Sequence, residues 1–350
     1  MNVDDLARKA GVWLSGGPLS DVVISSRIRL ARNVAGYPFL SRATETQRIE
    51  IEETLCDRVR RIDLGHETFY VDISRSSELD RQVLVERHQI SRQHAEAEGR
   101  RGVVLSTNER FALMINEEDH LRMQVLRGGF QLDDAWEEIN RIDSLLEEQI
   151  DYAFHPRWGY LTACPTNVGT GIRVSVMLHL PGLKLTSELE KVLRAAHDMH
   201  LAVRGLYGEG TEASGDFFQI SNQTTLGRSE EEIIDEFKDR IIPRIVEYER
   251  QAREALVREK PYALDDKIWR ALGVLENART VSTEETLFLL SHLRMGVALG
   301  RMDRLKLDTV NRLFLFTQPG HLQKIQGTQL DGEQRSIARA EYIRRHLNEN

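Results

Sequence analysis

The sequence has few cysteines and no long hydrophobic run, and each shortage excludes a class of protein. Cys56 and Cys164 are the only cysteines in 350 residues, which excludes a disulfide framework and a cysteine-rich zinc site. No apolar stretch approaches the length of a transmembrane helix. The amino-terminal sequence MNVDDLARKAGVWLSGG carries acids where a signal peptide needs a basic segment and an apolar core. We therefore expect a soluble cytoplasmic protein.

The chain has no excess of positive charge, and it lacks the common phosphate-binding motifs. A net charge of −8 argues against a general nucleic-acid-binding protein. The chain contains neither a GxxxxGK(S/T) nor a GxGxxG pattern, and the GTG at 169–171 matches neither. The HRD and DFG motifs of the common protein kinases are also missing. The sequence therefore offers no standard motif as evidence for phosphate binding.

Between about residues 20 and 225 the sequence mixes strand and helix patterns. Alternating apolar and polar residues predict strands in DVVISSRIRLARN and GIRVSVMLHL, and RRGVVLS and RFALMIN predict two more around a turn at STNE. Helical spacing marks LDDAWEEINRIDSLLEEQIDYAF, and we expect Thr186 and Ser187 to open a further helix. Antiparallel-style alternation without a regular βαβ rhythm predicts an α+β fold.

After about residue 228 the pattern becomes wholly helical. Ser229 and Glu232 form a capping-box signature for a long helix that runs to Glu259 with a bend at Pro243. Further helices are predicted at 264–279, 283–299, 308–317 and 331–347, separated by breaks that include Pro319, Gly320 and Gly327. We expect two domains, an α+β domain over residues 1–254 and an all-helical domain over 255–350.

Arginines recur on the polar faces of the predicted strands. Arg27 and Arg29 share one face of their strand, and Arg173 lies on the polar face of another. The segment VRGLYGEGTEASGDFFQISN adds Arg204 and Glu212 among closely spaced glycines. Such glycine density is typical of a loop that moves or that approaches a ligand closely.

The stretch LMINEEDHLRMQ interrupts an apolar run with three acids. They form a solvated turn, or they are directed at a cation. If the segment stays extended, Glu118 and Arg122 share one face. Glu117 and Asp119 then have the opposite parity, and we assign them no catalytic role.

Each of these features is ordinary when taken alone. A strand arginine usually covers apolar surface with its stem, and a lone cysteine is usually a small buried hydrophobe. Their combination is more informative. Five arginines, two glutamates and Cys164 from separate segments would form a site that holds both a polyanion and a cation.

The motifs SSRIRLARN, NEEDHLR, CPTNVGTGIR and RG…GE.TE…ISN occur in this order in the phosphagen kinases, the arginine and creatine kinase family. The chain resembles that family over roughly residues 20 to 250. The resemblance implies an antiparallel sheet flanked by helices, with ATP across its concave face and Mg²⁺ held mainly through the nucleotide. It implies phosphate-binding roles for five arginines: Arg27, Arg29, Arg122, Arg173 and Arg204.

The same resemblance implies the residues that handle the phosphoryl acceptor. Glu118 and Glu212 match the carboxylates that clamp the substrate guanidinium, and Cys164 matches the reactive cysteine of the family. Two carboxylates bind a guanidinium in a forked arrangement, align one nitrogen and accept its proton as the N–P bond forms. A thiolate at Cys164 would add a negative contact.

Two further features resemble the bacterial protein-arginine kinases (McsB type) within that family. The small helical domain that precedes SSRIR in the enzymes for free creatine or arginine is missing, and a helical region follows residue 255. The resemblance implies transfer of the ATP γ-phosphoryl group to arginine side chains in proteins. It also implies a homodimer, a role in stress response, and three partners: a zinc-containing activator, a Clp ATPase and a transcriptional repressor.

That branch carries a phosphoarginine-binding RDxxRA motif in its helical domain, and the matching stretch here is RSIARA. Arg335 and Arg339 remain, but Ser336 replaces the aspartate, so an acidic partner for the bound guanidinium is absent there. The alternative for this arginine pair is an ordinary solvated helix face at i, i+4 spacing.

Two other functions fit the same motifs. One is a kinase for free arginine or another small guanidine. The other is a catalytically inactive adaptor with this fold, which the presence of Glu118, Glu212 and Cys164 disfavours.

Overall fold

The computed structural model describes residues 2–206 and 214–348. The strands are β1 Val23–Arg32, β2 Thr68–Asp72, β3 Gly102–Ser106, β4 Phe111–Ile115, β5 Leu121–Gly128, β6 Phe154–His155, β7 Gly159–Tyr160, β8 Ile172–His179, β9 Leu201–Arg204 and β10 Phe217–Asn222. The helices are α1 Val3–Ala7, α2 Glu45–Arg60, α3 Glu78–Glu86, α4 Arg92–Glu96, α5 Leu132–Glu147, α6 Pro181–Leu185, α7 Leu189–Asp198, α8 Glu230–Asp235, α9 Ile242–Glu259, α10 Pro261–Asn277, α11 Thr283–Ala298, α12 Leu307–Phe316, α13 Pro319–Gln326 and α14 Gly332–Asn348.

Among the described residues, eight strands form one antiparallel sheet in the order β2-β3-β4-β5-β1-β8-β10-β9. One face of this sheet is apolar and is covered by helices. Ile28 of β1 and Val174 of β8 belong to a buried cluster with Ile139 of α5 and Ile242 of α9. Because side chains alternate along a strand, the residues between these apolar positions must lie on the opposite face. The sheet with flanking helices confirms the predicted α+β class.

The helices after residue 260 build a second buried cluster, and earlier parts of the chain contribute to it. Leu290 of α11, Leu313 of α12 and Ile343 of α14 pack together with Trp13 and with Phe217 of β10. The helical carboxyl-terminal region is therefore packed directly against the strand-containing region. No helix in the described ranges is long and apolar enough to cross a membrane.

Polar contacts reinforce this packing where α13 meets α3. The Glu86 carboxylate, at the end of α3, accepts hydrogen bonds from the backbone N–H groups of Gly320 and His321, at 2.7 and 2.9 Å. Glu86 Oε2 lies 2.7 Å from His321 Nδ1, and His321 Nε2 lies 3.1 Å from Arg87 Nη1. Since a guanidinium only donates, His321 Nε2 is the acceptor and Nδ1–H donates to Glu86. Glu86 thus satisfies the amino-terminal N–H groups of α13.

Local sequence signals were right in some places and wrong in others. Ser229 forms the predicted capping box with Glu232, but the long helix consists of α8, a π-helical turn at Glu236–Ile241 and α9. Pro243 lies in the first turn of α9, where it lacks an N–H for the regular ladder. We expected breaks at Pro319 and Gly320, yet they begin α13. Proline is well suited to a first helical turn, because its N–H would have no partner there.

The expected helix start at Thr186 and Ser187 is wrong. Thr186 instead follows the last turn of α6, where its Oγ1 donates to the carbonyl of Gly182 at 2.9 Å. Ser187 has a left-handed backbone with φ 62°, and α7 begins only at Leu189 with no side-chain cap. Thr186 caps the carboxyl end of α6 instead of the amino end of α7, and the sequence alone does not distinguish these two roles.

Candidate active site

The polar face of the sheet carries arginines on four strands. Arg29 of β1 is paired in register with Arg173 of β8, and Arg204 of β9 is paired with Gln219 of β10. Strands β5, β1 and β8 are consecutive in the sheet, and only β10 separates β9 from β8, so their side chains converge on one cleft. They line a cleft of about 310 Å³ together with residues from β4, α3, α4 and the connecting segments around them. The sequence-predicted residues that line it are Arg27, Arg29, Arg122, Arg173, Arg204, Glu118 and Cys164.

The arginines are crowded enough to disturb one another. Burial, and then the neighbouring Arg173, Arg204 and Arg122, lower the pKa of Arg27 to about 10. Burial and the same kind of repulsion hold the pKa of Arg29 well below its usual value. Arg27 Nη2 donates to Gln219 Oε1 at 2.8 Å. The buried Nε of Arg29 has no hydrogen-bond partner among the described residues. A polyanion bound here would relieve the repulsion and supply the missing acceptor.

The acidic stretch is a turn, so the condition of the parity argument, an extended segment, is not met. β4 ends at Ile115 and β5 begins at Leu121, and Asn116 between them has φ 60°. Asparagine tolerates this left-handed conformation better than most residues. Its Nδ2 donates to the carbonyls of Arg48 and Arg100, at 2.8 and 3.0 Å. Strand parity therefore says nothing about which acids reach the cleft.

All three acids form ion pairs with the same arginine, Arg122, and Asp119 is the most distant at 3.6 Å. Arg122 Nη1 lies 2.6 Å from Glu117 Oε2, and its Nη2 lies 2.7 Å from Glu118 Oε2. Glu117 is buried and also accepts a hydrogen bond from Ser91 Oγ at 2.5 Å. Burial alone would raise the pKa of Glu117, but Arg122, the Ser91 hydrogen bond and Arg29 outweigh it and lower the pKa. Glu118 is more exposed, with 32% of its side chain accessible.

Asp119 has a structural place beside the cleft. Its Oδ1 accepts from Asn33 Nδ2 and from the backbone N–H of Ala163, both at 2.7 Å. The second bond ties the acidic turn to the segment that carries Cys164. Cys164 is half-buried and precedes a 3-10 turn at Pro165–Asn167, and its Sγ lies 3.0 Å from Thr166 Oγ1.

Several residues of the cleft were not found from the sequence. Glu117 lines the cleft although strand parity placed it on the opposite face. The cleft is also lined by His88, Arg92 and Gln219. Gln219 had a signal, since it is the polar residue inside the strand segment FFQIS. His88 had none, because it lies in the connection after α3 with a left-handed φ of 57°.

Glu212 lies outside the described residues, as does Glu209. Leu206, the last described residue before that segment, lines the cleft beside Arg204. Among the described residues there is no group of three or more His, Cys, Asp or Glu side chains that could hold a metal ion.

The two arginines of RSIARA both lie on α14, but they differ in burial and in hydrogen bonding. Arg339 is buried and donates to the carbonyls of Thr317 and Val281, at 2.8 and 2.9 Å. Burial and the nearby Arg335 lower the pKa of Arg339 to about 10. Arg335 Nη1 donates to the carbonyl of Leu330 at 2.7 Å. The solvated-face alternative is therefore wrong for Arg339, and binding of phosphoarginine here stays a prediction.

Comparison with known proteins places this site in a family. Residues 50–252 match the family model described as ATP:guanido phosphotransferase, C-terminal catalytic domain. The chain belongs to the ATP:guanido phosphotransferase family. Residues 261–350 of this guanidino kinase match a second model, described as the protein-arginine kinase McsB C-terminal domain.

Two curated relatives of this guanidino kinase match it over almost its whole length. The protein-arginine kinase of Halothermothrix orenii is 45% identical over 350 residues, which cover 99% of this chain and 100% of the relative. The protein-arginine kinase of Desulforamulus reducens is 46% identical over 340 residues, covering 96% of this chain and 95% of that protein.

Solved structures of the family share the fold. The crystal structure of lombricine kinase matches with a TM-score of 0.59 and 28% identity, over 72% of this chain and 71% of that one. A duplicated taurocyamine kinase from Schistosoma mansoni, solved with transition-state analogue components, gives a TM-score of 0.61 at 26% identity. That match covers 68% of this chain but only 35% of the duplicated enzyme.

Proposed function

We propose that this enzyme is a protein-arginine kinase, which transfers the γ-phosphoryl group of ATP to a guanidino nitrogen of arginine side chains in proteins. The observation that carries the proposal is the cleft itself, where five arginines on one sheet face lie beside an accessible carboxylate, Glu118. Relatives that are named protein-arginine kinases and match over nearly the full length support the protein substrate. The match of residues 261–350 to the C-terminal domain of such kinases supports it as well.

The arginine face fits the triphosphate. Guanidinium groups bind phosphate oxygens in a bidentate manner and stay in place during reaction, so they stabilise the charge that spreads over the transferring phosphoryl group. We assign Arg27, Arg29, Arg122, Arg173 and Arg204 to this role. The unpartnered Nε of Arg29 and the lowered pKa values of Arg27 and Arg29 support it.

Mg²⁺ would reach this cleft on the nucleotide. The two carboxylates that line the described part of the cleft, Glu117 and Glu118, are ion-paired to Arg122, so the donor set fits a metal coordinated mainly by phosphate oxygens. When bound, Mg²⁺ neutralises charge on the phosphate oxygens.

The acceptor side needs a carboxylate, and Glu118 is suited to supply one. Because Glu117 also binds Arg122, Glu118 can exchange Arg122 for the substrate guanidinium without leaving the buried arginine unpaired. We propose that Glu118 and Glu212 hold the guanidinium in a fork. One nitrogen then attacks the γ-phosphorus, the bond from that phosphorus to the β–γ bridging oxygen breaks, ADP leaves, and a carboxylate accepts the nitrogen's proton.

Cys164 is proposed as an auxiliary contact to the same guanidinium. It lines the cleft, and Asp119 fixes the backbone just before it through Ala163. The contact would add negative character beside the acceptor nitrogen.

The wider assignments are proposals that rest on the family resemblance. We propose a boundary near residue 254 between the catalytic and helical domains, and a homodimer formed through the helical domain. Exposed Tyr262, Trp269 and Val274 on α10 support a contact surface there. A role in stress-linked protein quality control, with a zinc-containing activator, a Clp ATPase and a transcriptional repressor as partners, completes the proposal.

The reaction itself is directly testable. Purified enzyme with Mg-ATP and an unfolded basic protein should yield phosphoarginine, mapped by mass spectrometry under conditions that preserve the P–N bond. The product should be lost in acid, and Glu118→Gln should form it far more slowly. An acid-stable product would contradict the proposal. If millimolar free arginine inhibits the reaction strongly and is itself phosphorylated, the result would favour a small-guanidine kinase.

A further inference from the structure

A directed series of buried hydrogen bonds links α11 to the turn at Ser214–Asp216. Arg294 Nη1 lies 3.0 Å from His179 Nδ1, and because a guanidinium only donates, Nδ1 must accept. His179 Nε2 then carries the proton and donates to Ser291 Oγ at 2.8 Å. Ser291 Oγ donates in turn to Asp216 Oδ2, also at 2.8 Å. We call these four residues the α11 relay.

Burial and charge fix each direction in the α11 relay. Its four residues are at most 2% exposed. Burial, followed by the charge of Arg294, holds the pKa of His179 well below its usual value, so the ring is neutral and has a single tautomer. The other carboxylate oxygen, Asp216 Oδ1, binds Lys184 Nζ at 2.6 Å. Both oxygens of Asp216 are therefore held.

The turn held by the relay has an unfavourable backbone. Gly215 and Asp216 are both left-handed, with φ of 67° and 61°. At Gly215 a Cβ would lie 2.8 Å from the Leu287 carbonyl oxygen, so only glycine fits against α11. Asp216 is not a glycine, so its left-handed conformation is less favourable than that of Gly215. A strained residue persists where surrounding contacts over-determine its position.

The location of the turn gives the relay a role in catalysis. Asp216 follows Glu212 by four residues and directly precedes β10. β10 carries Gln219, which accepts the hydrogen bond from Arg27 in the cleft. The backbone N–H of Leu180, after β8, also donates to the Asp216 carbonyl at 3.0 Å. A shift of Asp216 would therefore reach both the Glu212 segment and the phosphate side of the cleft.

We propose that Ser291 and Asp216 are positioning residues for phosphoryl transfer, through which α11 fixes the turn between the Glu212 segment and β10. They do not contact substrate. This inference rests on the proposed function, because it takes the catalytic role of Glu212 from there. It assigns the carboxyl-terminal helices a direct part in building the active site.

The test compares variants that keep or remove the last link of the relay. Ser291→Ala and Asp216→Gly both remove it, and Asp216→Gly also relieves the left-handed strain. Asp216→Asn keeps an acceptor oxygen for Ser291 in a residue that tolerates this backbone. The matched control is Thr286→Val, which deletes another buried hydroxyl of α11, one that donates to the Ser282 carbonyl and lies outside the relay.

Turnover, nucleotide affinity and melting temperature are measured for each variant with the full-length enzyme and one protein substrate. We expect kcat to fall roughly 10- to 100-fold in Ser291→Ala and Asp216→Gly, as small displacements of catalytic groups do. Nucleotide affinity should fall by less than kcat does, Asp216→Asn should recover most of kcat, and Thr286→Val should match wild type.

The other outcomes contradict either the role of the α11 relay or the proposed function. Unchanged kcat in Ser291→Ala and Asp216→Gly would overturn the relay while leaving the proposed function intact. An equal loss in Thr286→Val, or a loss that follows melting temperature across all variants, would overturn it too, since destabilisation alone would then explain the result. Wild-type enzyme that forms no phosphoarginine in this assay would contradict the proposed function itself.

Discussion

Arg122 is shared by Glu117 and Glu118, whose carboxylates lie 2.6 and 2.7 Å from its two terminal nitrogens. The two carboxylates differ in accessibility, because Glu117 is buried and also bound by Ser91. We propose that Glu117 is therefore the permanent partner of Arg122, and Glu118 the exchangeable one. Under this proposal one acidic turn serves both the nucleotide side and the acceptor side of the cleft.

Glu118→Gln should reduce kcat by roughly 10²–10⁴-fold, because glutamine cannot accept the guanidinium proton. ATP affinity should stay close to wild type, since Glu117 still holds Arg122. Steady-state phosphoarginine formation and calorimetric ATP titration measure the two quantities. Glu148→Gln, at an exposed site, is the control. Loss of ATP binding in Glu118→Gln would argue for a role on the nucleotide side instead.

Glu117→Gln should lower the free energy of unfolding by about 1–3 kcal/mol at neutral pH, because a buried charged hydrogen bond is lost. The folded-state pKa of Glu117 is lowered below its ordinary 4.5, so its stabilisation is present above that value. It disappears as pH falls from 4.5 through the lower folded pKa. Urea unfolding of both proteins across this range should show the difference shrinking with acid; a pH-independent difference would contradict the assignment.

Arg29→Met should weaken ATP binding about 10- to 100-fold and yet stabilise the nucleotide-free enzyme. Burial and neighbouring Arg27 lower the pKa of Arg29, which means that its charge costs free energy in the folded state. Melting temperature without nucleotide should therefore rise, and nucleotide should raise it less than in wild type. Arg60→Met, at an exposed position, serves as control. A lower melting temperature in Arg29→Met would show that the arginine stabilises the empty cleft.

Alkylation should distinguish the two cysteines. Burial and nearby Glu52 raise the pKa of the Cys56 thiol to about 11, so at neutral pH it is protonated and slow to react. Iodoacetamide should therefore label Cys164 first, and Mg-ATP with protein substrate should protect it. Peptide mapping of wild type and Cys56→Ser identifies the site. Faster labelling of Cys56 would contradict the prediction. If Cys164→Ser retains most of the wild-type activity, the Cys164 thiol is auxiliary to catalysis.

The side chains that face the cleft from regular strands could be predicted, and those on turns could not. Strand alternation alone puts Arg27 and Arg29 on one face, away from Ile28. The acidic turn depends on Asn116, whose left-handed backbone is supported by the distant carbonyls of Arg48 and Arg100. Nothing local in NEED encodes those partners. The parity argument consequently failed for Glu117.

Helix boundaries show the same limit. The capping box at Ser229 is a local device and was predicted correctly. The amino terminus of α13 is satisfied by Glu86, which is more than two hundred residues away in the chain. A helix start of that kind has no local sequence signature beyond its proline. The α11 relay is likewise assembled from residues of three separate segments, so no sequence motif indicates it.

The bond between Glu86 and the amino terminus of α13 has a thermodynamic consequence. Glu86 is two residues from His88, which lines the cleft, so one short segment joins α13 to the proposed nucleotide site. Coupling free energy is reciprocal. A ligand that displaces α13 and thereby changes ATP affinity must itself be bound more tightly or more weakly, by the same factor, when ATP occupies the cleft.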